Sequence, residues 1–396
     1  MNKIKIVNGK ILTPGKLISN GCVVIENGRI QYVSETDIEI EACSTIDANG
    51  NYVSPGFIDI HIHGGGGYDF MDGTVEAYLG AASLHAIHGT TAMVPTTLTS
   101  TNDELKNTFS VFSQAKKQNE KGAELIGLHL EGPYFSPEQR GAQDPRYVRN
   151  PQPEEYKEIL RWSDDIIRWS AAPELSGALE FGSCLASKGI LPSIAHSNAT
   201  FEEVEKAIKY GFTHITHLYS ALSTIKRVNG YRHAGVIESA YYFDELTVEV
   251  IADGAHLPKS LLKLIHKIKG PGKTALVTDA MRAAGMKEGE SILGSLKDGQ
   301  KVIVEDGVAK LQDRTAFAGS VATTDRLVRT LNKEVGLPLL DAVQMMTSTP
   351  AEIIGIAKSK GSIVPGKDAD IVIFDKDINI QLTMVKGRLA FVKEKK

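Results

Sequence analysis

Hydrophobic positions in the middle of this 396-residue chain follow two alternating periods. Short apolar runs that read as buried strands are separated by stretches in which apolar residues recur every three or four positions, as on one face of a helix. Residues 201–210 show the helical pattern, with Val204 and Ala207 on one face. Thr200 and Glu203 form the sequence signature of a capping box at its start. The alternation predicts a series of strand–helix units.

Eight strands are predicted in this middle part, at 53–60, 91–98, 124–130, 166–172, 190–196, 213–217, 247–252 and 273–279. Helices are predicted between most of them, at 74–88, 103–118, 153–162, 179–188 and 201–210. Eight such units over roughly 230 residues match the scale of an α/β fold, the TIM-like (β/α)8 barrel. A doubly wound open sheet is the competing arrangement, but no Gly-x-Gly-x-x-Gly turn follows a first strand.

The two ends of the chain follow a different pattern. Short apolar runs are punctuated by Asn-Gly and Pro-Gly turns near the N-terminus and by Lys386-Gly387 near the C-terminus, which is a hairpin signal. Neither end has enough strands for a stable sheet of its own, so we expect both to pair into one small β-sandwich domain. The predicted division is 1–52 with 356–396 for the small domain and 53–355 for the barrel.

Composition and charge narrow the functional class. The net charge of −4 and the pI near 6.3, without a basic cluster, argue against nucleic acid or a membrane surface as partner. No apolar run approaches the ~20 residues that span a bilayer, and the N-terminus lacks the apolar core of a signal peptide. Cys22, Cys43 and Cys184 form no paired motif and predict three buried free thiols in a reducing compartment. We therefore expect a soluble cytoplasmic protein.

Two histidines mark the end of the first predicted barrel strand. His61 and His63 stand at positions i and i+2 of an apolar run that leads into four glycines, Gly64 to Gly67. Alternate residues of a strand point to the same face, so both imidazoles project together where the strand ends. Such a pair is a half-site for a divalent metal. Taken alone, it fits two solvated histidines equally well.

Four more metal-competent side chains lie at the ends of other predicted strands. They are Glu131 after the third strand, His196 after the fifth, His217 after the sixth and Asp279 after the eighth. The C-terminal ends of barrel strands meet at one rim, so we expect the six side chains to converge there as metal ligands. Nitrogen and oxygen ligands without thiolates suit Zn²⁺, Fe²⁺, Mn²⁺ or Co²⁺.

The ligand set predicts hydrolytic chemistry. A bound divalent ion lowers the pKa of water to about 7. An aspartate beside that water can take its proton and later deliver it to a leaving group, and Asp279 fits this role. Such a centre hydrolyses amides, cyclic amides or amidines.

The remaining polar residues of the strands are weaker candidates. His214 has the opposite strand parity to His217, so we expect only His217 to face the barrel interior. His129 shares the parity of Glu131 but lies one layer deeper, where an orienting or core role is expected. His256 lies just past the seventh strand, at the right level for a substrate contact.

Several stretches of the chain carry a family resemblance. They read PGFIDIHIHG, LHLEGPY followed by GAQ, IAHSNAT, THITHLYSAL, EVIADGAHL, VTDAM and, near the C-terminus, GSIVPGKDAD. The whole chain resembles the amidohydrolase superfamily and, within it, the N-acetylglucosamine-6-phosphate deacetylases. The resemblance implies a hydrolase that converts N-acetyl-D-glucosamine 6-phosphate to D-glucosamine 6-phosphate and acetate in amino-sugar catabolism.

The resemblance also implies the roles of the ligands. Glu131 would bridge a principal metal and a second metal, with Zn²⁺ preferred and Fe²⁺, Mn²⁺ or Co²⁺ as alternatives. One or two ions are expected, and the first-strand histidine pair favours two. Asp279 would be the catalytic base and then acid. The full implied metal set is Glu131, His196, His217, His61, His63 and Asp279.

Substrate contacts are implied in the same way, at Ala142, Gln143, Ser220, Ala221, Arg227, Arg232, His256, Phe317, Ala318 and Gly319. Ser220 stands where the family commonly has asparagine, and some relatives have histidine at the position of Gln143. The phosphate would meet Arg232 or Arg227, with Arg232 favoured because it precedes the Ala-Gly pair that resembles the family's closing glycine. That arginine would come from a neighbouring subunit, which implies a homodimer.

Two other functions stay open on the sequence. A deaminase or cyclic-amide hydrolase of the same superfamily would release ammonia or a ring-opened acid instead of acetate. A metal-free sensor or scaffold would retain only the barrel, and the presence of all six ligands argues against it.

Overall fold

The structure, a computed structural model, describes residues 3–394. Its central element is a barrel of parallel strands. The eight barrel strands are Phe57–Ile62, Thr90–Thr97, Leu128–Glu131, Ile166–Ala171, Leu191–Ile194, His214–Ile215, Thr247–Val250 and Thr274–Leu276. The short strand Glu124–Leu125 also pairs with the second of them. The last strand returns to the first where the N–H of Asp279 donates to the His61 carbonyl at 2.9 Å. The predicted (β/α)8 barrel is confirmed.

Helices surround the barrel. Within residues 3–394 the α-helices are Val75–Ile87, Asn102–Gln118, Pro153–Trp162, Ala178–Ser187, Phe201–Lys209, Val236–Tyr242, Lys259–Lys269, Thr324–Arg329, Leu339–Met346 and Ser348–Ile353. The five predicted helices end within one residue of the observed bounds. The capping box is present, because Thr200 and Glu203 each accept the backbone N–H of the other. In this described part, every helix is too short or too polar to cross a membrane.

Both ends of the chain contribute to one eight-stranded sheet, as predicted. Its strands are Lys3–Thr13, Lys16–Glu26, Arg29–Ser34, Ser44–Asp47, Tyr52–Pro55, Ile371–Phe374, Ile380–Val385 and Arg388–Val392. The two ends join at Tyr52–Pro55, which pairs with an N-terminal strand on one side and a C-terminal strand on the other. Buried side chains such as Ile11, Val53 and Ile371 form a separate apolar core for this small domain.

The bounds predicted for the first barrel strand, 53–60, are wrong. The structure divides this run between the small sheet, which takes Tyr52–Pro55, and the barrel, which takes Phe57–Ile62. Gly56 lies between them against Thr91, and a Cβ at Gly56 would overlap that side chain. Only glycine permits this close approach. The small sheet therefore extends to Pro55, beyond the predicted boundary at 52.

Two insertions lie near the C-terminal ends of the barrel strands. An exposed hairpin, Lys226–Val228 with Tyr231–His233, follows the sixth strand. A three-stranded antiparallel sheet follows the eighth strand and consists of Gly289–Leu293, Gln300–Glu305 and Val308–Leu311. Its apolar side chains pack against Met281 and Ala318. The second insertion thereby fixes the loop that carries Phe317.

The three cysteines are unpaired, as predicted, but not all are buried. Cys22 lies inside the small domain, whereas Cys43 and Cys184 are partly exposed. Cys43 precedes a short strand, and Cys184, in a barrel helix, packs against the edge of the main hydrophobic core. The prediction of three buried thiols is wrong for these two residues.

Candidate metal centre

Six side chains converge at the C-terminal end of the barrel, and they are the six predicted ligands. They form two groups, and within each group the ligand atoms all lie within 4.8 Å of one another. The groups are His61 with His63 and Asp279, and Glu131 with His196 and His217. Glu131 connects the two groups, since its oxygens lie 3.3 Å from His61 Nε2 and 3.4 Å from His63 Nε2. Glu131 therefore lies between the two groups.

Three of the ligands stand just past strand ends in a left-handed backbone conformation. The φ angles are 45° at His196, 28° at His217 and 49° at Asp279. Non-glycine residues adopt such angles rarely, and those that do are concentrated at functional sites. Asp279 is held there by backbone hydrogen bonds to His61 on the first strand and to Ser320, at 2.9 and 2.8 Å. The turns direct the side chains over the mouth of the barrel.

The expectation that only one of His214 and His217 faces the interior is wrong. His217 is a member of the ligand cluster, while His214 is buried below it with Nε2 3.1 Å from Glu249 Oε2. The sixth strand is only two residues long, His214–Ile215, and the positive φ at His217 ends the alternation of faces. Strand parity therefore does not extend to His217.

The donor set fits a divalent transition metal. Four imidazoles and two carboxylates meet in a buried space, and His196 Nε2 faces His217 Nε2 at 3.3 Å. His61 Nε2 is buried and makes no hydrogen bond within residues 3–394. Nitrogen and carboxylate donors directed at common points are the ligands that zinc and its neighbours prefer.

The electrostatics of the cluster favour cation binding. Burial alone would raise the pKa of Glu131, but the nearby His61 and hydrogen bonds from His196 and His217 hold it well below its usual range. Burial alone would lower the pKa of His63, but hydrogen bonds to Asp279 and Glu131 raise it to about 9. These shifts favour an ionised Glu131 and a protonated His63, so a metal bound by His63 would take the place of its proton.

Neighbouring polar groups orient the principal ligands. His196 Nδ1 lies 2.8 Å from the carbonyl oxygen of Gln139, which fixes the ring with Nε2 toward the cluster. Gln143 donates its amide to Glu131 Oε2 at 2.7 Å and accepts the N–H of Thr99 at 3.0 Å. The polar atoms of Gln143 are thus both used within the protein.

A cavity of about 320 Å³ opens over the ligands. The predicted substrate contacts that line it are Ala142, Gln143, Ser220, Ala221, His256, Phe317 and Gly319. His256 is held by Asp253, whose Oδ2 lies 2.8 Å from its Nδ1, and its ring lies 4.7 Å from that of Phe317. Because Nδ1 is engaged, Nε2 is the ring nitrogen that remains for a ligand in the cavity.

Three predicted contacts lie elsewhere in the chain. Ala318 is buried in the core of the three-stranded insertion and does not line the cavity. Arg227 and Arg232 are cross-strand partners in the exposed hairpin, where Arg232 donates to the carbonyl oxygen of Gly230. Neither arginine reaches the cavity of its own chain.

Three charged residues close to the ligands are absent from the predicted set: Arg168, Glu249 and Asp253. Arg168 and Glu249 are completely buried within apolar barrel strands, and Asp253 supports His256. A charged residue inside an otherwise apolar strand is unusual unless it is paired. This signal could have identified Arg168 and Glu249 from the sequence.

Comparison with known proteins places the chain in a family. Residues 52–390 match the amidohydrolase family. The chain belongs to this family. Within the family, it is 35% identical over 387 residues to the N-acetylglucosamine-6-phosphate deacetylase of Bacillus subtilis (strain 168), covering 96% of each chain. It is 31% identical over 402 residues to the human N-acetylglucosamine-6-phosphate deacetylase, covering 98% of this chain and 95% of that one.

Solved structures of amidohydrolases agree with this placement. One is a mutant N-acetyl-D-glucosamine-6-phosphate deacetylase from Mycobacterium smegmatis in complex with N-acetyl-D-glucosamine-6-phosphate, with a TM-score of 0.90 and 29% identity over 99% of this chain and 100% of that chain. Another is the N-acetylglucosamine-6-phosphate deacetylase from Pasteurella multocida, with a TM-score of 0.90 and 30% identity over 98% and 99%. The resemblance predicted from the motifs is confirmed.

Proposed function

We propose that the chain hydrolyses the acetamide of N-acetyl-D-glucosamine 6-phosphate to D-glucosamine 6-phosphate and acetate. The observation that carries this proposal is the convergence of six metal-competent side chains beneath one cavity, in a chain related to deacetylases over nearly its whole length. A cyclic-amide hydrolase or deaminase is not favoured, because the full-length relatives are named deacetylases.

We propose Zn²⁺ as the metal, with Fe²⁺, Mn²⁺ and Co²⁺ as alternatives of similar ligand preference. Glu131, His196 and His217 would hold the principal ion. The first-strand pair His61 and His63, with Asp279 and the bridging Glu131, would hold a second. When bound, such ions supply Lewis-acid chemistry and a water-derived nucleophile at neutral pH.

Asp279 is placed to transfer the protons of the reaction. Its carboxylate lines the cavity and lies 3.1 Å from His63 Nε2. Without metal, burial would raise the pKa of Asp279, but the positive charges on His61 and His63 keep it below its usual value. In the loaded centre the metal ions would supply the positive charge in place of the histidine protons, so Asp279 would remain an ionised base. It would accept the proton of the attacking water at Oδ and then deliver that proton to the departing amine nitrogen.

His256 is placed to bind the acetamide. Its Nε2 would donate to the carbonyl oxygen and stabilise the negative charge that develops there. The hydrogen bond from Nδ1 to Asp253 fixes the ring for this contact. Phe317 packs beside the ring and would contact a ligand bound there.

We propose that the phosphate site is completed by a second subunit. Lysine and arginine are missing from the cavity lining within the part of the chain that is described, although a phosphate requires cationic donors. Arg227 and Arg232 lie on the exposed hairpin with Val228 and Tyr231, whose side chains are 50% and 75% exposed. Exposed apolar side chains beside two arginines fit a homodimer in which this hairpin reaches the neighbour's cavity.

A cytoplasmic location is part of the proposal. It is supported by three thiols that form no disulfide, which is the usual state of cysteine in a reducing compartment.

The test is acetate release from a panel of N-acetyl sugars by the metal-loaded protein. The panel contains N-acetylglucosamine with and without a 6-phosphate, and the matching galactosamine pair. We expect acetate from N-acetylglucosamine 6-phosphate well above an Asp279→Asn control. No turnover above that control would refute the proposal, and ammonia in place of acetate would favour the deaminase alternative.

A further inference from the structure

Beneath the ligands, the barrel contains a buried network of charged side chains that the proposed reaction does not use. Glu249, on the seventh strand, is at its centre and is completely buried. Glu249 Oε1 accepts from His61 Nδ1 at 2.7 Å and from the backbone N–H of His217 at 3.2 Å. Its Oε2 lies 2.6 Å from Arg168 Nη1 and 3.1 Å from His214 Nε2. Glu249 thus contacts one residue from each ligand group.

Arg168 fixes the position of this carboxylate. The guanidinium is completely buried and, besides Glu249, donates to the Ile60 carbonyl at 3.1 Å, to Ser193 Oγ at 3.1 Å and to Thr216 Oγ1 at 2.8 Å. Removing such an ion pair from water is unfavourable, and barrel interiors are usually filled with branched apolar side chains. Arg168 and Glu249 thus occupy a layer of the barrel, directly below the metal centre, that apolar side chains usually fill. Their charges at this place call for a reason other than stability.

We propose that Glu249, held by Arg168, is the positioning residue that forms the second metal subsite. By accepting the Nδ1–H of His61, it selects the tautomer in which Nε2 carries the lone pair and faces the metal. The inference rests on the proposed two-metal centre. It concerns hydrogen-bond geometry, and Glu249 itself touches neither the substrate nor the metal.

Glu249 has a more direct contact with the second metal subsite than with the principal one. At the principal subsite it contacts only the main chain of His217, and His196 has a separate orienting partner in the Gln139 carbonyl. At the second subsite it contacts the imidazole of His61 directly. His63 Nδ1 has no hydrogen-bond partner within residues 3–394. Of the two first-strand histidines in this described part, only His61 therefore has its Nδ1 fixed by a hydrogen bond, and the partner is Glu249.

The first experiment measures Zn²⁺ binding to the chelator-treated full chain by calorimetric titration, with zinc counted by mass spectrometry after dialysis. A Glu249→Gln side chain keeps the size of glutamate but has only one acceptor oxygen for its donors. We expect two ions in the wild type, a second ion bound about 10–100-fold more weakly by the variant, and a first ion within about threefold of the wild type.

Asp370→Asn is the matched control. Asp370 is also a buried carboxylate, with a lysine partner at 2.6 Å and a backbone N–H from Lys386 at 2.7 Å, but it lies in the small domain. We expect both zinc affinities to be unchanged in this variant. If Glu249→Gln does not fold, as judged by its thermal transition without metal, Arg168→Lys takes its place. Arg168→Lys keeps the positive charge but loses the planar guanidinium that donates several hydrogen bonds at once. We expect its second zinc ion to bind at least about threefold more weakly.

A double-mutant cycle separates positioning through His61 from a general structural effect. In a His61→Gln background, titrated at millimolar zinc, adding Glu249→Gln should change the second-ion affinity less than about twofold. Additive losses would overturn the inference, as would equal weakening of both ions in the single variant.

The outcomes also distinguish this inference from the proposed function. Two ions bound with wild-type affinity by Glu249→Gln would overturn the inference alone. One ion in the wild type would overturn the inference and the second-metal proposal together, and would leave deacetylation by one metal intact. Two ions with the expected loss in the variant, but no acetate from the sugar phosphate, would overturn the proposed function and leave the inference standing.

Discussion

The barrel centre and the boundary with the small domain each contain a cluster of buried or partly buried acidic side chains. At the boundary, Glu124, Asp368 and Asp370 bring three carboxylate oxygens within 4.8 Å of one another, as close as the ligand groups of the barrel centre. Lys360 Nζ lies among them, 2.6 Å from Glu124, 3.2 Å from Asp368 and 2.6 Å from Asp370. Lys386 also pairs with Glu124, and Arg29 Nη2 lies 3.7 Å from Asp368, so cations of the chain itself balance the boundary cluster.

Within the described part of the chain, the barrel centre has no lysine or arginine paired with its carboxylates, whose partners are histidines. Its two carboxylates are surrounded by four imidazoles, which must be neutral to bind a metal. At the boundary, burial would lower the pKa of Lys360, but the attraction of Asp370 and Glu124 raises it above its usual value, so the ammonium persists. The comparison shows that convergence of acidic groups does not by itself indicate a metal site. The decisive difference is the compensating group: a lysine ammonium stays charged, whereas an imidazole can exchange its proton for a metal ion.

Asp279→Asn tests whether a carboxylate of the barrel centre takes part in the reaction. The amide cannot accept the proton of the attacking water, so we expect kcat to fall by at least ~10²–10⁴. Acetate release at saturating N-acetylglucosamine 6-phosphate measures the loss, and zinc content confirms that the principal ion is retained. A kcat within tenfold of the wild type would contradict the assigned role.

Lys360→Met tests the boundary cluster, where we expect a loss of stability and no loss of catalysis. The variant removes the buried ammonium from the buried carboxylates of Asp368 and Asp370, so the free energy of unfolding should fall by ~3–5 kcal/mol while kcat/KM per folded molecule is unchanged. Urea denaturation measures the change. The control is Lys386→Met, because Lys386 contacts the same Glu124 but has a half-exposed side chain, and we expect a loss below ~1 kcal/mol. Similar losses in the two variants would show that burial of the cation does not matter.

His85 can be compared with His63, because both histidines are buried near the barrel centre. Unlike His63, His85 is hydrogen-bonded to a carbonyl oxygen and not to a carboxylate. Its Nε2 donates to the Gly64 carbonyl at 2.9 Å, and burial lowers the pKa of His85 to about 4, whereas the pKa of His63 is raised to about 9. In the unfolded chain the pKa of His85 is about 6.5, so as the pH falls the unfolded chain takes up this proton at a higher pH than the folded chain. Acid therefore favours unfolding. This residue should therefore remove up to ~3 kcal/mol of stability as the pH falls from 6.5 toward 4.

A His85→Gln variant keeps a donor for Gly64 but cannot titrate. The unfolding free energies of both proteins at pH 7 and pH 4.5 isolate the histidine's contribution, since all other groups are shared. We expect a smaller loss between the two pH values in the variant. Equal losses would mean that His85 is not held neutral by burial.

Ser220→Asn tests the rim of the barrel centre, where we expect the smallest effect. Ser220 lines the cavity at a position where the sequence resemblance leads us to expect asparagine. One hydrogen bond gained or lost at the sugar is worth about 1 kcal/mol, so KM should change by about fivefold or less with kcat unaltered. Steady-state kinetics on the sugar phosphate provide the measurement. A tenfold change in kcat would place Ser220 in the reaction itself.

The sequence predicts the six ligands because each is marked by a local pattern. An apolar run predicts a strand, and the end of the run predicts which residues lie at the C-terminal end of that strand. The barrel then brings the C-terminal ends of all its strands to one rim. His61 and His63 also share strand parity, which the structure retains. The alternation fails only where the backbone turns, as at His217 with its φ of 28°.

Contacts between distant strands are beyond such local patterns. His61 and Glu249 are 188 positions apart, and Arg168 meets Glu249 across 81 positions. Their pairing depends on the register of barrel strands, which periodicity does not specify. The sequence pattern likewise does not predict which site Arg227 and Arg232 contact, because the proposed contact of their hairpin is with another subunit.

The most direct test of the comparison between the two clusters is an anomalous-difference map from crystals grown with Zn²⁺ and measured at the zinc absorption edge. The proposal predicts two peaks in the barrel, one among Glu131, His196 and His217 and one among His61, His63 and Asp279. It predicts no peak among Glu124, Asp368 and Asp370, where Lys360 supplies the charge. The absence of any barrel peak, or zinc bound at the Lys360 cluster, would contradict it.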